Sequence, residues 1–208
     1  MRVPSIRTRR IVSLSAAPVA VLVAGLMVWQ GSNAAFSSVT RNIGNSWETG
    51  SVALTDDDGG AAMFQVQNVI PGQTGSRCIR VTASSSVPGL VKIYAGDLAA
   101  DGLEPYIKIT IDQGTVGSVG GFGTGPTGCG TFVSDATESS QSLSGLMADH
   151  TTYATGLLPW TTAGVVSGEA KTYKFSWIFD TTGLSQTAVD ALQGKAASIN
   201  FDWELQNT

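Results

Sequence analysis

Tyr173-Lys174-Phe175-Ser176-Trp177-Ile178-Phe179 is the stretch whose reading decides the fold. In an extended chain successive side chains point to opposite faces. Tyr173, Phe175, Trp177 and Phe179 therefore share one face, and Lys174, Ser176 and Ile178 the other. No other segment carries so strong a strand signal. The closing segment repeats it, setting Ile199, Phe201, Trp203 and Leu205 against Asn200, Asp202 and Glu204. Asp202 and Glu204 are expected to face solvent there.

Weaker alternations extend upstream. Ile107, Ile109 and Ile111 mark one strand, and Val91 with Ile93, after Pro88-Gly89, another. Arg77, Ile79 and Val81 oppose Cys78, Arg80 and Thr82. Phe64 and Val66 alternate with Gln65 and Gln67 until Pro71-Gly72 breaks the run. Residues 50–54 read as a short strand, reversed by Asp56-Asp57-Asp58-Gly59-Gly60, since aspartate tolerates and glycine favours left-handed backbone. That acidic turn lacks the spacing and terminal glutamate of an EF-hand and reads as a solvated hairpin tip.

Leu143, Leu146 and Met147 recur at helical spacing behind Ser142, a candidate N-cap, so residues 142–150 read as a short helix. Residues 184–193 read as one further turn or two, ended by Gly194. Residues 114–130, dense in glycine, read as a long mobile loop tethered by Cys129, and residues 153–160 as irregular, closed by Pro159. About seven short strands with two minor helices describe an all-β chain, an antiparallel sandwich.

The front of the chain is of another kind. Arg2, Arg7, Arg9 and Arg10 precede an apolar run over residues 11–29, and Ser32, Asn33, Ala34 and Ala35 form a small-residue joint. That is the anatomy of a signal peptide cleaved at Ala34/Ala35, with Thr8-Arg9-Arg10 only a faint twin-arginine signal. The expected division is a signal peptide at residues 1–34 and one domain at residues 35–208. The run is also long enough to span a bilayer, so retention as an anchor stays open. Otherwise no membrane contact is expected.

Of 12 basic residues four lie in this leader, and none of the 16 acidic ones do, so the remainder carries a net charge of −8. Such a surface repels phosphate backbones and argues against nucleic-acid binding. In an exported chain the two cysteines, Cys78 and Cys129, read as a disulfide. As metal ligands they fall short, since two thiolates and one histidine do not fill a structural zinc site.

Around the leader boundary the sequence resembles a known family. Ala35-Phe36-Ser37, followed by Asn45-Ser46-Trp47-Glu48-Thr49-Gly50-Ser51-Val52-Ala53-Leu54, is similar to the mature start of TasA/camelysin-type proteins, A-x-F-S-D then N-x-F-x-A-G-T-L-D-L. Val69-Ile70-Pro71-Gly72-Gln73 resembles that family's L-x-P-G-D turn, and residues 197–203 its last strand. The sequence departs from the pattern at Ser38 and Gln73, where the family has Asp, and at Trp47, where it has Phe. The resemblance implies a jelly-roll-like sandwich, secretion to the cell surface or biofilm matrix, and fibre assembly by β-strand donation.

Catalytic chemistry finds little to work with. His150 is the only histidine, so two-histidine zinc motifs and paired-histidine bases are impossible. Camelysin-type relatives are described as metallo-endopeptidases, which makes His150, beside Asp149, the residue to examine; a packing or capping role is the plainer reading. A serine nucleophile at Ser144 lacks a G-x-S-x-G elbow. Asp202 and Glu204 as a glycosidase pair would alternate with buried aromatics on a solvated face. Trp47, Trp160 and Trp177 could stack on sugars, but a sandwich core uses large aromatics in any case.

The expectation is therefore a non-enzymatic, extracellular structural protein that needs no metal or cofactor and associates with itself or with cell-surface or matrix components. Residues 36–48, with Phe36, Val39, Ile43 and Trp47 as anchors, form the candidate donor strand. The same segment could equally be the first strand of its own domain. A camelysin-like peptidase and a carbohydrate-binding surface domain are the alternatives.

Overall fold

A computed structural model describes residues 37–41 (main chain only), 52–116 and 129–207. Among them nine strands form two antiparallel sheets. They are β1 (Ser37–Arg41), β2 (Val52–Asp56), β3 (Thr74–Ser85), β4 (Gly89–Ala100), β5 (Ile107–Val116), β6 (Phe132–Ser142), β7 (Leu157–Thr162), β8 (Glu169–Phe179) and β9 (Ala197–Asn207). Helix α1 (Leu143–Asp149), a 3-10 turn (Tyr153–Thr155) and helix α2 (Gln186–Asp190) join them.

One sheet has the order β1-β9-β4-β7 and the other β2-β3-β8-β5-β6. Four of the pairings are nested: β1 with β9, β3 with β8, β4 with β7 and β5 with β6. A single long antiparallel ribbon, rolled so that successive pairs alternate between sheets, produces this order. The chain is a jelly-roll β-sandwich, with β2 added outside β3.

The aromatic strand lies at the centre of the five-stranded sheet. Tyr173, Phe175, Trp177 and Phe179 are buried, as are Phe201, Trp203 and Leu205 of β9 on the facing sheet. The two rows meet edge to face: Tyr173 and Trp203 at 5.4 Å, Phe175 and Trp203 at 6.2 Å, with Phe175 tilted on Phe201 at 4.8 Å. Aromatic pairs prefer such geometry to a face-to-face sandwich. Ile79 and Val81 of β3, Val91 and Ile93 of β4, and Ile109 and Ile111 of β5 complete the core.

Both helices start where the serines require. Ser142 accepts a hydrogen bond from the Gly145 amide and Ser185 from the Ala188 amide, each satisfying an otherwise orphaned donor. Cys78 and Cys129 are joined as a disulfide and both are buried. They stand outside the main apolar cluster, so the bridge fastens the segment entering β6 to the outer side of β3.

Several expectations are corrected. Phe64 and Val66 do not belong to a strand; residues 61–73 are irregular, and Val66 is 40% exposed. Phe64 is instead drawn against Trp177, ring to ring at 6.4 Å. Residues 57–60 are not the tip of a tight hairpin, because β2 meets β3 only after residues 57–73. Residues 153–160 are ordered as the 3-10 turn and the start of β7; Pro159 is tolerated because β7 is an edge strand. Strand β6 went unread, and residues 114–116 of the expected loop are the end of β5; residues 117–128 lie outside the described residues.

Candidate functional site

Strand β1 forms one margin of the four-stranded sheet, and among the described residues it pairs with β9 alone. Its ladder runs from Ser37 opposite Gln206 to Arg41 opposite Asp202. Val39 stands opposite Glu204. Within one chain, then, residues 37–41 are the first described strand, paired within their own domain. Of the remaining anchors of the candidate donor strand, Phe36, Ile43 and Trp47 lie outside the described residues, as do Ala34 and Ala35 of the cleavage joint.

The outer face beside this strand is built by β9 and β4. Tyr94 donates its hydroxyl proton to Glu204 Oε2 at 2.9 Å, and the Gln206 amide donates to Oε1 of the same carboxylate at 2.8 Å. Tyr153 donates to the Leu90 carbonyl at 2.8 Å, and the Lys92 ammonium lies 4.8 Å from the Tyr153 ring centre. Burial, with the Glu204 charge adding to it, pushes the Tyr153 phenol upward, so it remains a donor at neutral pH.

Asp202 departs from the sequence reading. It shares this outward face yet is only 2% exposed, whereas Glu204 and Asn200 on either side are partly open. The space for it exists because residue 96 is glycine: a β-carbon there would lie 2.8 Å from Asp202 Oδ2. A solvated carboxylate pair is therefore not what β9 presents.

His150 is the C-cap of α1 and is held on every side. Its amide donates to the Leu146 carbonyl at 2.8 Å, and its carbonyl accepts from the Ala95 amide at 2.7 Å. Ring Nδ1 lies 2.8 Å from the Thr155 carbonyl oxygen, which can only accept, so Nδ1 carries the proton. Nε2 then accepts from the Gln141 side-chain amide at 3.4 Å. The ring clasps α1 to the 3-10 turn. Ser144 Oγ is 3.0 Å from Ser142 Oγ. Among the described residues no three His, Cys, Asp or Glu side chains gather as a metal site requires.

Two buried polar groups were invisible in the sequence. Gln113 is 3% exposed; its amide donates to the Leu158 carbonyl at 2.6 Å and to the Tyr173 hydroxyl oxygen at 3.1 Å. Asp58, expected at a solvated tip, is 6% exposed and accepts from the Gly60 amide at 2.6 Å. Burial, opposed in part by that bond and reinforced by Asp56 and Asp57, raises its carboxyl to about 6. Residue types give no warning of this: burial here depends on the long loop folding back over β3, where Asp57 accepts from the Arg80 amide at 2.9 Å.

Under the same loop an apolar cavity of about 1090 Å³ opens between the sheets, walled by Phe64, Ile109, Leu143, Trp177, Phe179 and Phe201. Trp160 is 8% exposed and packs into the core, so it offers no platform to a sugar ring. No helix among the described residues is long and apolar enough to cross a membrane.

Fold and edge together define a jelly-roll sandwich whose first described strand lies at a sheet margin. Neither models of known protein families nor the characterised proteins give a match to the chain.

Proposed function

We propose that this chain is a secreted structural protein that associates with further copies of itself, β1 of one copy pairing with β9 of the next, to build extracellular fibres or a surface layer. The observation that carries the reading is the position of β1: first among the described strands, at the margin of its sheet and paired there through β9. A strand so placed can leave without unthreading any other element. Its replacement by the same strand of a second copy restores the same ladder, so the exchange is close to neutral in contact energy and is governed by concentration. The sequence similarity to TasA/camelysin proteins around residues 35–54 supports the same conclusion.

Chemistry favours this outcome for an acidic chain. A net charge of −8 beyond the leader keeps single copies apart until a directional contact forms, and main-chain hydrogen bonds along a strand are such a contact. The leader-free chain, concentrated and followed by sedimentation and electron microscopy, is expected to form linear polymers. A chain beginning at Gly50 is expected to form none. Polymers of equal length from both would refute strand exchange.

A further inference from the structure

The two ends of the sandwich carry features that match one another. β3 and β8 run side by side, Thr74 opposite Ile178 and Ala83 opposite Glu169, so the segments flanking them gather at two ends. One end holds residues 61–73, tied to β8 where the Gly72 amide donates to the Phe179 carbonyl and the Phe179 amide to the Gln73 carbonyl, each at 2.9 Å. The other holds the turn after β3 and residues 163–168 ahead of β8. These two segments touch, since a β-carbon on Gly164 would lie 2.8 Å from the Val87 carbonyl carbon. At ~3.3 Å per residue the strands hold the ends roughly 35 Å apart.

Both ends are apolar and free of charge. Among the described residues six large apolar side chains are exposed, and five of them fall here: Val66 and Ile70 at the first end, Val87, Val165 and Val166 at the second. Residues 59–76, 81–91 and 151–168 contain no Asp, Glu, Lys or Arg. The first end is hollow, because Val66 and Ile70 also line the cavity of about 1090 Å³. The charged residues in that lining, Asp190 and Lys195, are engaged by Gln186 at 2.8 Å and by Asp101 at 3.4 Å. The second end presents Val166, 70% exposed, on a braced turn. Glu169 accepts from the Ala163 amide at 2.8 Å and the Val165 amide at 3.4 Å, and the Gly168 amide donates to the Val165 carbonyl at 2.9 Å. A turn held in this way loses little freedom on docking.

We propose that the cavity is a socket for a second copy of this chain: the Val165–Val166 turn of one copy docks against Val66 and Ile70 of the next, head to tail. Clustered exposed apolar side chains mark association surfaces. Copies that each carry a net charge of −8 beyond the leader meet at least cost where neither surface is charged. Because turn and socket lie at opposite ends, the contact is heterologous. Each pair keeps one free turn and one free socket, so the contact continues as a line. It rests on the self-association reading for the fibre and adds to strand exchange a junction that does not use β1.

The test uses Val166→Glu and Ile70→Glu, made separately in the leader-free chain. Both positions are exposed, so the urea midpoint should stay at the wild-type value. By sedimentation equilibrium each variant is expected to self-associate at least about tenfold more weakly than wild type, since each carries a carboxylate into an apolar contact. An equimolar mixture of the two is expected to regain the association that each lacks alone. The intact turn of Ile70→Glu chains then fits the intact socket of Val166→Glu chains. Either variant associating as strongly as wild type, or a mixture no better than its components, overturns the contact; the first result leaves the cavity to a small apolar molecule. Strand exchange is the same in all four samples, so its failure shifts them together and leaves the differences between them in place.

Discussion

Strands β8 and β1 are opposites within one fold. β8 is flanked on both sides, by β3 and β5, along most of its eleven residues, and four aromatic side chains anchor it to the facing sheet. β1 has five residues, lies at a margin, and its described ladder joins it to β9. Removing β8 would dissolve the core, because among the described residues no other element supplies the ring contacts with Phe201 and Trp203. β3, β4, β5, β8 and β9 supply most of the described core. One sandwich thus holds an element that specifies its architecture beside one joined through a single described ladder, and the distinction lies in position within the sheet.

The sharpest way to break the comparison is to cut the centre. Phe175→Ala is expected to cost about 3–5 kcal/mol of unfolding free energy, measured by urea denaturation, because the cavity it leaves is walled by two other rings. Cys78→Ser with Cys129→Ser removes the staple on the outside of β3 and should cost about 2–5 kcal/mol, with the far-ultraviolet spectrum unchanged at 25 °C. Starting the chain at Gly50 should lower stability by only about 1–2 kcal/mol, since a short marginal strand gives back much of its hydrogen bonding as conformational entropy. A loss as large as that from Phe175→Ala would place β1 with β8 and end the distinction.

The smallest effect concerns Asp58. Its carboxyl is raised to about 6 in the folded chain from an ordinary 3.8, so the folded state holds the proton more tightly than the unfolded one. This contribution to stability is fully present below pH 4 and is lost as pH rises through about 6. Asp58→Asn keeps an acceptor for the Gly60 amide and carries no charge. It should flatten the stability profile between those limits and gain about 1 kcal/mol at pH 7, the full linkage value being reduced by solvent at the loop mouth. A wild-type profile without that slope would show the carboxyl to be solvated.

Legibility in the sequence followed burial on one face. β8, β9, β5 and β3 were readable because each buries alternate residues, which imposes a period of two. β6 was not, since as a margin strand it leaves Val133 64% exposed and buries nothing fully, so its sequence carries no period. The alternation at Phe64 and Val66 misled for the converse reason. A pattern can be present where no neighbouring backbone offers a ladder, and Phe64 then serves as a single plug against Trp177. β7 was hidden by Pro159, which is tolerated because it falls at a register shift of a margin strand, between the Val91–Trp160 and Ile93–Leu157 pairs.

At the candidate site the cysteine pair and the helix around His150 were readable from residue type and spacing. What His150 does was not, because the proton on Nδ1 is assigned by the Thr155 carbonyl that the 3-10 turn brings to it. Sequence alone determined the two aromatic rows, the sandwich they demand and the serine cap of the first helix, all consequences of local periodicity and local hydrogen bonding. Tertiary structure alone decided which outward carboxylate is buried. Asp202 and Glu204 are equivalent in the alternation of β9, and the glycine at position 96 leaves room for the first of them. Alternation assigns a side chain to a face; how much water reaches that face depends on neighbours distant in the chain.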